Sequence, residues 1–185
     1  QYVFQMADTA LNPAQTVAAI LSRPLQYFFK LRGEALEQRI SELLALVRLP
    51  ESVRHRKPAS LSGGQKQRVN LARALAARPE IIICDEVTSA LDTVVAAAIL
   101  DRIADLRRRF NLSVLFISHD MHAIRAVCDD IVVMQQGRIV TQIAGEDYAK
   151  PSSELYFERL KRAVPELRQG WLDDHQDVVK SGVTA

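Results

Sequence analysis

Apolar residues recur at helical spacing in the first half of the chain. Those of the clearest repeat are Leu36, Ile40, Leu43, Leu44 and Val47. They predict an amphipathic helix over residues 34–49, which Pro50 ends. A second helix is predicted over residues 65–78, where good helix formers run from a loop with two consecutive glycines to Pro79.

Beyond Pro79 the pattern changes to short apolar runs that alternate with helices. Ile81–Cys84 and Ser113–Ile117 are continuous apolar runs of the kind found in strands buried on both faces. A helix over about residues 93–109 separates them, and a short helix follows the second run as far as Cys128. This alternation predicts an α/β fold with a parallel sheet whose two faces are covered.

The last third of the chain has a weaker pattern. Gln136–Gly137 lies between two short apolar segments, residues 131–134 and 138–142, and predicts a terminal hairpin. Residues 145–185 contain two prolines and mixed charges without strong periodicity, so we expect a partly ordered tail.

Composition narrows the class of protein. The 185 residues are 48% hydrophobic and 25% charged, which is typical of a globular domain and excludes collagen, disorder and small disulfide scaffolds. The 24 basic and 22 acidic residues give a net charge of +2, so nucleic acid is not the expected partner. The longest apolar run, Val94–Leu100, is far shorter than the roughly 18 residues of a membrane span.

Polar side chains follow each predicted strand at its carboxyl end, where ligands bind in parallel sheets. Asp85 and Glu86 follow the first strand, and His119 follows the second. An acidic pair at this place suits a magnesium nucleotide site, because one carboxylate can hold the hydrated metal while the other orients and deprotonates a water. The alternative is that Asp85 or Glu86 only caps the following turn.

A second candidate site lies at the start of the helix predicted over residues 65–78. Ser62, Gly63, Gly64 and Gln65, here called the glycine loop, present backbone amides at a helix N-terminus, which favours an anion such as phosphate. The alternative is an ordinary N-cap, in which the Ser62 hydroxyl satisfies those amides.

Taken together, three segments carry a resemblance to a known family. They are Leu61–Arg68 (LSGGQKQR), Ile82–Asp92 (IICDEVTSALD) and Ile117–Asp120 (ISHD). In this order and spacing they resemble the ATPase subunit of an ABC transporter. Three further segments are similar to peptide and nickel importers of that family: Leu11–Pro13, Val127–Val140 and Ala163–Leu167.

The resemblance implies an ABC-type P-loop NTPase domain with a helical signature subdomain and a parallel-sheet core, acting on ATP with Mg²⁺. It implies that Glu86 is the general base or water-positioning residue, that His119 is the switch histidine that holds the γ-phosphate, and that Asp85 and Gln5 bind magnesium, partly through water. It also implies that the glycine loop is the signature that contacts the partner's ATP, and that Ser89 and Asp92 belong to the D-loop.

One motif of that family is absent from these 185 residues. A P-loop requires Gly, four residues, then Gly-Lys-Ser/Thr. The seven glycines are at positions 33, 63, 64, 137, 145, 170 and 182, and no two of them are five apart. The family places this loop upstream of the Q-loop glutamine, so the resemblance implies an N-terminally truncated domain that is inactive by itself.

The expected organisation has three parts: residues 1–78 with the Q-loop and signature subdomain, residues 79–144 with the Walker B, D-loop and switch segments, and residues 145–185 as a C-terminal extension. The expected function is the ATP-hydrolysing subunit of an importer for peptides or a related small solute, at the cytoplasmic face of the bacterial inner membrane.

The expected partners are a second ABC ATPase domain, the permease subunits and, indirectly, a solute-binding protein, with no nucleic acid. Two alternatives are a non-catalytic truncated subunit that lends its signature loop to a partner, and a soluble ABC ATPase outside transport.

Overall fold

The structure is a computed structural model that describes residues 1–163. Its first 76 residues are mainly helical. The helices are α1 (Ala7–Ala10), α2 (Val17–Phe29), α3 (Gly33–Leu46) and α4 (Gly63–Ala76). The predicted helices over 34–49 and 65–78 are confirmed as α3 and α4. Helix α4 begins two residues earlier than predicted because Ser62, and not a later residue, is its N-cap.

Helix α2 is an element that the sequence analysis did not predict. Its core face is formed by Val17, Ile20, Leu21 and Leu25, which are at most 4% exposed. Thr16 caps it, accepting from the Ala19 amide at 3.3 Å. The three-and-four spacing of these apolar positions was the available signal, but Pro24 interrupts it, and proline inside a helix is unfavourable.

The chain also forms a parallel sheet, which confirms the predicted α/β class. Its strands are β1 (Tyr2–Val3), β2 (Ile81–Asp85) and β3 (Ser113–Ile117), in the order β1-β2-β3. Helix α5 (Thr93–Phe110) makes the crossover from β2 to β3. Tyr2 and Leu115 both pair with Ile83, so the carboxyl ends of the three strands lie at one edge.

The prediction that both faces of this sheet are covered is wrong for the described residues. Side chains alternate between the faces of a strand. Ile82 and Cys84 of β2 point into the core and are at most 2% exposed. On the outer face, Ile81, Leu115 and Ile117 are 55%, 56% and 44% exposed. A continuous apolar run shows that both faces are apolar, but not what packs against each of them.

The chain divides into two compact units, Gln1–Ser118 and a second that begins at His119. The second contains α6 (Met121–Val127), β4 (Asp130–Gln135), β5 (Arg138–Ala144) and α7 (Leu155–Ala163). Strands β4 and β5 form the predicted hairpin, with positive φ at both Gln136 and Gly137, as a tight two-residue turn requires.

Helix α7 is an ordered segment within the tail, which the sequence analysis expected to be partly ordered. Phe157 is fully buried in the core of the second unit, where its ring lies edge-on to Tyr148 with centroids 5.8 Å apart. The rest of the predicted tail, including most of the importer-like segment 163–167, lies outside the described residues. Among the helices of residues 1–163, none is long and apolar enough to cross a membrane.

Candidate functional site

The carboxyl edge of the sheet brings together residues that are far apart in the sequence. Gln5 lies two residues beyond β1, and Glu86 directly follows β2. The Gln5 Nε2 atom donates to Glu86 Oε2 at 2.5 Å and to Ser89 Oγ at 3.2 Å. We call Gln5, Asp85, Glu86 and Ser89 the strand-edge cluster. Sequence reasoning placed Asp85 and Glu86 at this edge, and only the resemblance added Gln5 and Ser89.

Glu86 has an unusual backbone conformation, with φ of 46°. Its amide donates to the Ile117 carbonyl at 2.9 Å, and its own carbonyl accepts from Ser89 Oγ at 3.0 Å. The other non-glycine residues of positive φ in the described part of the chain occur after helices or in the hairpin turn: Lys30, Arg48, Arg78, Asn111 and Gln136. Glu86 instead follows a strand, and such backbone strain concentrates at functional sites.

Tyr2 fixes the neighbouring carboxylate and was missed by the sequence analysis. Its hydroxyl donates to Asp85 Oδ2. This hydrogen bond is the main reason that the pKa of Tyr2 lies above its ordinary value of 10.0, with burial and the Asp85 charge adding to the rise. The parallel register was the available signal, because Tyr2 pairs with Ile83 and therefore lies on the same face as Asp85, diagonally across the strands.

The glycine loop forms a complete capping box at the start of α4. The Ser62 hydroxyl accepts from the Gln65 amide at 3.3 Å, and the Gln65 Oε1 atom accepts from the Ser62 amide at 3.1 Å. The N-cap interpretation of Ser62 is therefore confirmed. It is compatible with anion binding, since an accepting hydroxyl keeps its own proton to donate.

Close packing joins the glycine loop to the residues that follow Ser89. A Cβ atom on Gly64 would lie 2.5 Å from Val95 Cγ1, whereas one on Gly63 would meet only Leu91 Cδ2, at 3.6 Å. Asp92 is the N-cap of α5, and its Oδ1 accepts from the Val95 amide at 3.0 Å. The absence of a side chain at position 64 is thus what lets the two helix starts meet.

Buried polar residues of α4 hold the chain next to Gln5. The side-chain amides of Gln67 and Asn70 donate to the Phe4 carbonyl at 3.3 and 3.2 Å. Asn70 is fully buried, and its Oδ1 accepts from Arg73 Nη2 at 2.8 Å. Burial of the guanidinium lowers the pKa of Arg73. The sequence analysis did not predict these contacts. The available signal was the presence of polar residues on the core face of the helix.

His119 begins the second compact unit, and its side chain is exposed. The next residue, Asp120, is the N-cap of α6 and accepts from the His122 amide at 2.8 Å. The strand-edge cluster belongs wholly to the first unit, so the predicted role of His119 stays a prediction.

The donor atoms of the strand-edge cluster suit magnesium bound together with a nucleotide. Residues 1–163 contain no group of three or more His, Cys, Asp or Glu side chains able to hold a metal by themselves. Magnesium does not require such a group, because it is usually bound by one or two carboxylates with waters and phosphate oxygens. The Asp85 carboxylate and the Gln5 amide oxygen provide donors of that kind.

Comparison with known proteins agrees with this architecture. The ABC transporter family model matches residues 1–89. The oligopeptide transport ATP-binding protein OppF of Lactococcus lactis is 38% identical over 167 residues, which are 90% of this chain and 52% of OppF. The nickel import ATP-binding protein NikE of Escherichia coli is 42% identical over 147 residues, which are 79% of this chain and 55% of NikE. The chain spans about half the length of these curated relatives.

Solved structures show the same fold. The ATP-binding cassette MJ0796, described as a dimer bound to ADP and Pi, superposes with a TM-score of 0.69 at 32% identity over 77% of this chain and 61% of the cassette. CbiO1 of Clostridium perfringens, part of the ABC transporter complex cbiONQ, gives 0.71 at 26% identity over 79% of this chain and 57% of cbiO1. The chain therefore carries an ABC transporter domain over residues 1–89 and is similar to ATP-binding subunits of ABC transporters over most of its length.

Proposed function

We propose that this chain forms part of the ATP-hydrolysing subunit of an importer for peptides or a related small solute. The observation that carries the proposal is the hydrogen bond from Gln5 Nε2 to Glu86 Oε2, which joins residues 81 positions apart at the carboxyl edge of the sheet. The similarity to OppF and NikE supports an importer of this solute class.

In this proposal the strand-edge cluster handles the attacking water and the metal. Glu86 is the general base that orients a water and accepts its proton, and Gln5, which also donates to Ser89 Oγ, keeps that carboxylate in place. Asp85 and Gln5 hold Mg²⁺, partly through water, and Tyr2 orients Asp85. When bound, the metal neutralises charge on the phosphate oxygens of ATP.

The glycine loop serves a second ATPase domain, of the same or another chain. Ser62, Gly63, Gly64 and Gln65 donate to the γ-phosphate of the partner's ATP, as the exposed start of a fourteen-residue helix favours. Ser89 of the strand-edge cluster and Asp92 at the start of α5 take the D-loop role, and His119 holds the γ-phosphate.

The remaining partners follow from the importer assignment. The subunit lies at the cytoplasmic face of the bacterial inner membrane, bound to permease subunits and, through them, to a solute-binding protein. The solute-binding protein and the permease select the solute, so the ATPase chain supplies energy without contacting it.

Replacing the proposed base tests the assignment directly. In the full gene product with its partners, Glu86→Gln is expected to lower ATP turnover by at least about 100-fold, because a positioned general base contributes that much or more. Nucleotide binding is expected to persist, since the amide keeps the size and polarity of the site. The matched control is Glu80→Gln, an exposed carboxylate just before β2, which leaves turnover unchanged. Unchanged turnover in Glu86→Gln would refute the role of Glu86.

A second candidate is a non-catalytic subunit that lends only its glycine loop, and the complete capping box of that loop at the start of α4 favours it. Titration of the chain alone with magnesium-ATP separates the two candidates. Saturable binding that Asp85→Asn weakens would exclude the non-catalytic subunit. No binding by the chain alone, together with stimulation of a partner's ATPase that Ser62→Ala removes, would favour it.

A further inference from the structure

The last turn of α2 carries three consecutive aromatic residues outside the core. Tyr27, Phe28 and Phe29 are 72%, 51% and 37% exposed, whereas Leu21 and Leu25 of the same helix are at most 1% exposed. Consecutive residues lie about 100° apart around a helix axis. Three in a row are therefore exposed together only where the helix end projects from the core. Contiguous exposed apolar groups of this kind mark interaction surfaces.

The aromatic rings and two cations form one continuous surface. The Tyr27 and Phe28 centroids are 5.0 Å apart in an edge-to-face arrangement, and those of Phe28 and Phe29 are 6.4 Å apart. Lys30 Nζ lies 5.6 Å from the Tyr27 centroid, and Arg78 Cζ lies 5.0 Å from that of Phe29. We call these five residues the aromatic-basic patch.

The sequence around the patch is positively charged. Between Asp8 and Glu34 it contains Arg23, Lys30 and Arg32 and no acidic residue. Arg23 is exposed and lies one helical turn before Tyr27, so the two share a face of α2. Arg78 brings the number of cations to four, of which Lys30 and Arg78 lie over the rings, and the acidic residues nearest in the sequence are Glu34 and Glu80. The patch therefore complements a negatively charged partner.

We propose that the aromatic-basic patch docks on the anionic headgroups of a lipid membrane. Tyrosine and other aromatic side chains favour the boundary between headgroups and acyl chains. Lysine and arginine are attracted to anionic lipid within a Debye length of the surface. The combination of projecting rings and flanking cations suits such a surface. The inference rests on the proposed function only for the presence of a membrane nearby, because lipid contact needs neither nucleotide nor hydrolysis.

Vesicle sedimentation tests the proposal on the intact protein without nucleotide or permease. The protein is expected to sediment with vesicles of equal phosphatidylglycerol and phosphatidylcholine, and to bind pure phosphatidylcholine much less. The double variant Arg23→Gln/Lys30→Gln is expected to lose affinity about 25-fold, since each cation contributes about fivefold. Tyr27→Ser/Phe28→Ser is expected to weaken binding to both vesicle types. High salt is expected to reduce parental binding.

Matched variants distinguish lipid binding through the aromatic-basic patch from non-specific binding to vesicles. Val94→Ser and Arg108→Gln remove an exposed apolar residue and an exposed cation of α5, and both are expected to bind vesicles like the parent. Glu86→Gln is also expected to bind like the parent, so failure of the proposed hydrolysis and failure of lipid binding are distinguishable. All variants are compared at equal helix content by circular dichroism.

Three results would overturn the proposal. The first is equal binding of anionic and neutral vesicles by the parent protein. The second is binding by the patch variants that matches the parent. The third is binding only to vesicles that contain the permease subunits, which would assign the patch to a protein partner.

Discussion

The strand-edge cluster and the glycine loop are built in opposite ways. The hydrogen bonds from Gln5 to Glu86 and Ser89 join residues 81 and 84 positions apart, so the cluster exists only when the sheet is formed. The two hydrogen bonds of the glycine loop join Ser62 to Gln65, three positions apart, so they form with the first turn of α4. One site therefore depends on tertiary structure, and the other depends mainly on local structure.

The largest expected effect comes from Asn70, which supports the strand-edge cluster from α4. Asn70→Ala removes a donor to the Phe4 carbonyl and leaves a half-buried Arg73 without one acceptor. We expect the free energy of unfolding to fall by about 2–3 kcal/mol, as buried groups that lose partners cost this much. Urea denaturation measures it.

The control for Asn70 is Gln38→Ala, which removes an exposed amide of α3 and is expected to stay within about 0.5 kcal/mol of the parent. An equally small effect for Asn70→Ala would mean that the strand-edge cluster does not depend on α4.

Substitution of two adjacent glycines is expected to give the next largest change in stability. Gly64→Ala places a methyl group against the stiff, β-branched Val95, whereas Gly63→Ala meets only an ordinary contact. We expect Gly64→Ala to be less stable than Gly63→Ala by about 2 kcal/mol, the range for overpacking. Thermal denaturation of both variants measures the difference.

A second substitution tests the cause of that difference. Val95→Ala added to Gly64→Ala is expected to recover most of the lost stability, because it removes the atom that the new methyl group would meet. No recovery in the double variant would show that the cost arises elsewhere in the glycine loop.

The smallest effect is a pH dependence confined to the strand-edge cluster. The pKa of Tyr2 is higher in the folded protein than its ordinary value of 10.0. The Tyr2–Asp85 hydrogen bond therefore stabilises the fold fully below about pH 10 and is lost as the pH rises through the folded pKa. Stability of the parent should then fall more steeply in alkali than that of Tyr2→Phe.

Ultraviolet titration of tyrosinate checks the cause of this shift. Asp85→Asn is expected to move one tyrosine titration to lower pH, because the anionic acceptor has gone. An unchanged titration curve would contradict the assignment of the raised pKa to Asp85. The capping box of the glycine loop contains only a hydroxyl and amides, so the same pH range should leave it intact.

The sequence predicted the local features of this unit better than its long-range ones. Ser62 before a helix predicted the N-cap, and the apolar runs predicted β2 and β3 with Asp85 and Glu86 at a strand end. The contact of Tyr2 depends on the register of β1 against β2, and that of Asn70 depends on where α4 packs. No single segment of the sequence determines either of these. The exposed outer face of the sheet was mispredicted for the same reason, since the composition of a strand does not identify its neighbours.

Helix α4 joins the two sites mechanically. The glycine loop is its first turn, and Asn70, two turns later, holds the Phe4 carbonyl beside Gln5. These points are about 10 Å apart along a rod that rises 1.5 Å per residue. Because a well-packed helix is rigid, α4 fixes the distance between the glycine loop and the Phe4 carbonyl. A shift of either end of α4 would therefore change the position of both sites.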